Sequence, residues 1–190
     1  EKKRVTINLL SYLNLVSLAT IADVVPLVGL NRAFVKQGLK IFQSRLCLKM
    51  FGTHFKLLDN LNEETIAFQV APRLNASGRI ASAFLTYQFL TATDPQKIEE
   101  CINDMEVANK ERKAVEKIIL FSAVQQISNA KSQKPYTLVK AKGWHKGVIG
   151  IIASRLKDLY GGLCIAISID GDVGHGSIRS TEQIDLTEIL

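Results

Sequence analysis

From Thr93 to about Asn129 the chain keeps a single amphipathic pattern, and this stretch limits the possible folds more than any other. Thr93-Asp94-Pro95 opens it, with a capping residue followed by a proline whose fixed φ suits a first helical turn. Ile98, Cys101, Ile102, Met105, Ala108, Val115, Ile118, Ile119 and Val124 then recur at helical spacing around a solvated stretch, Asn109 to Lys113. A helix of about 30 residues is ~45 Å long. That is more than one small domain needs, so the spacing predicts a strut between two. The apolar heptads are too few and too irregular for a coiled coil. Lys131-Ser-Gln-Lys-Pro135 reads as the break. The expected organisation is residues 1–94, a connector over 95–132, and a second domain over 133–190.

The second domain reads as strand, turn, helix, strand. Tyr136 to Lys142 alternates like a short strand. Gly143-Trp144-His145-Lys146-Gly147-Val148-Ile149-Gly150 forms the turn. Apolar positions at helical spacing continue to Tyr160, where Gly161-Gly162 supplies a stop. Leu163 to Ile169 reads as a buried strand, and Asp170 to Gly174 as a turn. The turn at Trp144, His145 and Lys146 lies at the mouth of a helix N-terminus. Free N–H groups and the positive dipole end suit an anion there, and ligands gather at the carboxyl ends of strands in α/β units. Trp144 as a packing residue and His145 as a helix cap is the alternative. Further on, alternation puts Ser177 and Arg179 on one face and Ile178 on the other. A hydroxyl beside a guanidinium, after Gly176, suits a terminal phosphate. An edge strand with a polar outer face is the plainer reading.

Before the strut the chain reads as helical. Residues 5 to 22 are apolar on most faces, which predicts a buried helix ending near Asp23, because Pro26 biases Val25 toward an extended backbone. A carboxylate at the end of a buried helix needs an Arg, a Lys or a metal ion beside it; otherwise Asp23 ends the helix in an exposed turn. Asn31 reads as the N-cap of a helix over about 32–49, and residues 50 to 62 as a loop in which His54 takes no role. A short helix is expected from Glu63 to Ala71 and another from Ser82 to Thr91. Between them, Ala71-Pro72-Arg73-Leu74-Asn75-Ala76-Ser77-Gly78-Arg79 reads as a small-residue loop. There Arg79 could offer its planar fork to phosphate and Asn75 a donor. Arginines facing solvent on a helix–loop–helix joint are the alternative.

Composition narrows the function classes. Hydrophobic residues make up 47% and charged residues 22% of 190, enough for a core. A net charge of +6 admits a phosphate-bearing partner without demanding one. Three scattered cysteines in apolar surroundings fit neither a disulfide framework nor a zinc site, and point to a reducing, cytoplasmic setting. No apolar run approaches the ~20 residues of a membrane span. Walker and dinucleotide-binding motifs are absent. Glu1-Lys-Lys-Arg4 does not look like a signal peptide, and Asp185 to Leu190 stops within an apparently helical pattern. The chain is therefore expected to be a segment of a longer protein.

Four segments resemble the RecJ single-strand-specific exonucleases of the DHH phosphoesterase superfamily, in that family's order. They are Thr20-Ile-Ala-Asp-Val-Val-Pro26, Ala71-Pro-Arg-Leu-Asn-Ala-Ser-Gly-Arg79, Gly143-Trp-His-Lys-Gly-Val-Ile-Gly150 and Gly176-Ser-Ile-Arg-Ser180. The resemblance implies an α/β architecture: the rear, mostly helical part of a DHH catalytic domain, a long connector helix, and part of an α/β DHH-associated domain. It also implies an exonuclease, using Mn²⁺ or Mg²⁺, that degrades single-stranded DNA from the 5′ end in repair and recombination, as a monomer with possible repair partners. By the same resemblance Asp23 matches a metal-holding aspartate, Asn75 and Arg79 a substrate loop, His145 the signature turn, and Ser177 and Arg179 a phosphate-binding strand. The family's Asp-x-Asp and Asp-His-His motifs are absent here, as are its glycine-rich segment after Ser180 and its OB domain. No catalytic set is complete, and the segment alone is expected to be inactive. A catalytically dead nucleic-acid scaffold and a phosphoesterase acting on short oligonucleotides or nucleotides are the competing readings.

Overall fold

The computed structural model describes residues 8–129, 135–181 and 186. The expected helix start at Val5 and Ile7, most of the break at Lys131 to Pro135, and most of the pattern at Asp185 to Leu190 lie outside them. By internal contacts the chain divides into two units, Glu1–Asn109 and Lys110–Leu190. The boundary falls inside one continuous helix. Among the described residues no helix is long and apolar enough to cross a membrane.

The first unit is helical. A 3₁₀ turn leads into α1 (Leu13–Ala22), followed by α2 (Gly29–Lys40), α3 (Leu46–His54), α4 (Glu63–Thr65), α5 (Ala71–Ile80) and α6 (Phe84–Thr91). α7 (Pro95–Ser128) runs on from this unit into the second. Ile98, Cys101, Ile102 and Met105 of α7 join a core of Leu18, Phe42, Leu48, Phe51 and Phe89, among others. Each such side chain contributes about 1.5–3 kcal/mol when taken from water. Phe51 lies at the centre of an aromatic group, 4.7 Å from Phe55 and 5.7 Å from Phe89 between ring centroids.

Several sequence expectations change here. The helix expected over 32–49 is broken at Ile41, because the chain turns to bury Phe42 completely. The freed Ile41 carbonyl accepts from Ser44 Oγ at 2.6 Å and from Asn14 Nδ2 at 3.5 Å. Core packing outweighs local propensity at this point. Asn31 is not an N-cap: Val28 takes that position, and Asn31 Nδ2 donates instead to the Pro26 carbonyl at 3.1 Å. α1 is not buried all round, since Val16 within it and Tyr12 at its start are exposed, as are Leu9 and Leu10 in the preceding turn. α3 occupies residues 50–54 of the expected loop.

Residues 71–80 are not a loop either. They form α5, entered through a π-helical turn over Ile66–Val70. Pro72 stands in the first turn of α5, where a missing N–H costs little. Arg73 serves the fold: its Nε donates to Glu106 Oε2 of α7 at 2.9 Å, its Nη1 to the Gln69 carbonyl at 2.7 Å, and its guanidinium lies 4.2 Å from the Phe55 ring centre.

The second unit follows its sequence pattern closely. β1 (Tyr136–Lys142), α8 (Ile149–Tyr160), β2 (Leu163–Asp170) and β3 (Val173–Arg179) follow the end of α7. The sheet order is β1-β2-β3, with β1 parallel and β3 antiparallel to β2. Val139, Cys164, Ala166 and Ser168 are buried, together with Ile149, Ile152, Ala153 and Leu156 of α8. Gly161 closes α8 at φ 69°, a backbone shape that strains other residues. Gln126 Oε1 of α7 accepts from the Lys140 N–H of β1 at 3.1 Å. Glu116 of α7 pairs with two arginines: Arg112 on its own helix at 2.7 Å, and Arg155 of α8. The α/β fold is what the sequence implied; the small mixed sheet comes from the structure.

Candidate functional site

The candidate residues fall into two groups, one in each unit. In the second unit, register places them. Ala166 faces Ser177 across the β2–β3 ladder, and Cys164 faces Arg179. Directly opposed residues share a face of the sheet, so Ser177 and Arg179 lie on the side that carries buried Cys164 and Ala166. α8 packs on this side. A Cβ built on Gly150, in the first turn of α8, would lie 3.4 Å from Ser177 Oγ and 3.8 Å from Arg179 Nη2. The hydroxyl, the guanidinium and the N-terminal turn of α8 therefore meet in one corner. Arg179 Nη1 donates to Ser177 Oγ at 3.3 Å and to the Ile178 carbonyl at 2.7 Å, which holds the fork beside the hydroxyl. Ser177 is half-buried here, unlike a residue on the outer face of an edge strand.

Gly176 opens no space beside Ser177. The vacant Cβ direction of Gly176 points to Ile167, 3.8 Å away and on the opposite face from Ser177.

The turn before α8 is tied down at both ends. Gly147 N–H donates to His145 Nδ1 at 3.1 Å, and Val148 N–H to the His145 carbonyl at 3.0 Å. With Nδ1 accepting, a neutral ring carries its proton on Nε2 and can donate from there. Trp144 is buried, and its carbonyl accepts a hydrogen bond from Ser168 Oγ in the middle strand. Trp144 therefore packs, but His145 is not the cap of α8: Val148 takes that position without a side-chain bond, and half-buried His145 ties the turn ahead of it.

In the first unit, Asn75 and Arg79 stand one helical turn apart on α5 and are both exposed. Spacing of i and i+4 puts them on one face. Buried Leu74, Ala76 and Ser77 take the other side. Thr86 of α6 locks the pair of helices, donating to the Leu74 carbonyl at 2.6 Å and lying 3.0 Å from Ser77 Oγ. Asp23 is the C-cap of α1 and is exposed, so burial gives it no need of a cation. Among the described residues no group of three or more His, Cys, Asp or Glu could hold a metal ion.

The three cysteines are buried and free. Burial pushes the thiols of Cys47, Cys101 and Cys164 above their ordinary value, which favours the protonated form near neutral pH.

No family model matches the chain. Curated relatives do match. The chain is 32% identical to the single-stranded-DNA-specific exonuclease RecJ of Haemophilus influenzae, over 96% of its own length and 33% of that protein. It is 36% identical to RecJ of Bacillus subtilis, over 94% of its length and 23% of that protein. The chain thus spans 23% to 33% of the length of these relatives. Among solved structures, RecJ from Thermus thermophilus in complex with Mg²⁺ superposes with a TM-score of 0.79 at 26% identity, covering 94% of this chain and 28% of that one. An exonuclease RecJ bound to manganese gives 0.76 at 27% identity, covering 94% and 45%. Sequence and fold agree on one relationship: along nearly its whole length this chain is similar to a stretch of RecJ, and it fits a fragment of a RecJ protein.

Proposed function

We propose that the chain is the strand-gripping part of a metal-dependent exonuclease that hydrolyses single-stranded DNA from the 5′ end. The observation that supports this best is the corner where Ser177 Oγ, the Arg179 guanidinium and the first turn of α8 meet at Gly150. One phosphate group there accepts from a hydroxyl, a planar fork and helix N–H groups together. His145, in the turn before α8, serves as a further donor, and Asn75 and Arg79 hold backbone phosphates on α5.

Among the described residues no set makes a metal site on its own. Asp23 offers one exposed carboxylate, whereas hydrolysis by a metal pair needs several ligands to activate water and steady the displaced oxygen. In the complete protein Asp23 joins ligands supplied from elsewhere in the sequence to hold Mn²⁺ or Mg²⁺. The chain by itself binds strands without cutting them. The setting is cytoplasmic, the work is DNA repair and recombination alongside other proteins of those processes, and the protein acts as a monomer.

Anisotropy of a 5′-phosphorylated, labelled oligonucleotide tests the reading across a salt series. Arg79→Ala and Arg179→Ala should each weaken binding and flatten the plot of log affinity against log salt by about 0.7 per lost phosphate contact. Binding and slope equal to the unaltered chain's would remove both residues from the interface. Cleavage by the chain alone in Mn²⁺ would overturn the assignment of Asp23 as an incomplete site.

A further inference from the structure

Two aromatic rings on α6 have no part in the core. Phe84 and Tyr87 are 59% and 60% exposed, while Phe89 of the same helix is fully buried. Their rings are stacked, with centroids 5.7 Å apart and planes at 27°. Such a pair keeps its outward π-faces available to a further planar group. The helix that carries them is firmly held. Ser82 Oγ accepts from the Phe84 N–H at 3.2 Å, and Thr86 fastens α6 to α5 from the other side. The pair also lies close to the cationic face of α5. A Cβ on Gly78 would come within 3.3 Å of Ala83 Cβ, so Arg79 and Phe84, each one residue further on, start from neighbouring backbone positions.

We propose that Phe84 and Tyr87 form a platform on which bases of a single-stranded nucleic acid stack, while Asn75 and Arg79 hold the adjoining backbone. Proteins that bind single strands combine these two parts: cations that follow the phosphates and rings that take the bases. Every base has a π-face, so the platform takes any sequence. It refuses a duplex, whose bases already stack on one another. The inference rests on the nucleic-acid reading above and adds to it the part of the ligand that the phosphate contacts do not recognise.

The test pairs two probes of equal length and charge, an oligo-dT and an oligomer of abasic sites. Phe84→Ala and Tyr87→Ala should each weaken oligo-dT binding roughly tenfold. Binding of the abasic strand and the salt slope should stay as they are, and Tyr87→Trp should keep full affinity. Arg79→Ala should weaken both probes alike. Oligo-dT binding unchanged in the alanine variants overturns the platform alone and leaves the phosphate contacts standing. Equal loss for the two probes also overturns it, since the rings would then act through the fold. Concentration-dependent self-association that vanishes in these variants, with strand binding intact, assigns the rings to a second copy of the chain instead. Failure of the unaltered chain to bind either probe overturns the nucleic-acid reading and the platform with it.

Discussion

The two units carry their candidate residues in different ways. In the unit built on β1, β2, β3 and α8, a ladder register and one helix terminus bring Ser177, Arg179 and Gly150 into a corner. In the helical unit, Asn75 and Arg79 stand on the outer face of α5, and their mutual placement needs only one helical turn. The first arrangement depends on contacts between residues distant in sequence. The second survives as long as α5 does. Position in the corner is therefore a tertiary property, and position on α5 a nearly local one.

Substitutions that break one unit and spare the other sharpen this contrast. The largest effect is expected at Glu116, which is buried with Arg112 and also pairs with Arg155 of α8. Glu116→Ala removes the buried carboxylate that both guanidinium groups meet, and one broken partner of such a pair costs about 3–5 kcal/mol. Urea unfolding should show this loss. Strand binding through Arg179 should fall with it, because α8 loses a tie to α7, while Arg79 keeps its contribution. A loss below about 1 kcal/mol, the worth of an exposed pair, would mean that Glu116 contributes little to the packing of α8.

Next comes Gly38, in the helical unit. A Cβ there would lie 2.1 Å from the Leu13 carbonyl oxygen and 2.6 Å from Ser17 Oγ. Backbone cannot yield as a side-chain tip can, so Gly38→Ala should destabilise by about 3 kcal/mol through forced separation of α1 and α2. Thermal unfolding checks it. A midpoint like that of the unaltered chain would show that the two helices can part without cost.

The smallest effect should be common to both units. Cys47 and Cys164 are buried, one in each, and burial raises both thiols above the ordinary 9.0. The unfolded chain thus releases these protons first as pH climbs. The associated stability is whole below pH 9.0 and is lost as pH rises toward the folded values. Alanine at both positions should flatten the decline of the urea midpoint above that pH. An unaltered slope would assign the decline to other groups.

How far the sequence revealed the fold follows the same division. Strand alternation has a period of two and glycine stops are sharp, so β1, α8 and β2 could be read almost residue by residue. Helical segments were harder. The break at Ile41 is set by where Phe42 finds space, a fact about the core rather than about residues 38–44. Small residues and Pro72 made residues 71–80 look like a loop, although a preceding π turn and a first-turn proline let them wind as α5. Arg73 and Arg79 look equivalent in the sequence. Only packing separates the one clamped to Glu106 and Phe55 from the one on the exposed face. At the corner, Ser177 and Arg179 were visible through alternation, and Gly150 was not, because its neighbour lies across the sheet.

The bond from Ser168 to the Trp144 carbonyl has a practical corollary. The chain contains a single tryptophan, and this bond anchors it to the middle strand one position ahead of His145. Native emission therefore comes from one buried ring in the turn before α8, a built-in fluorophore that reports on the seating of that turn against β2 without any dye.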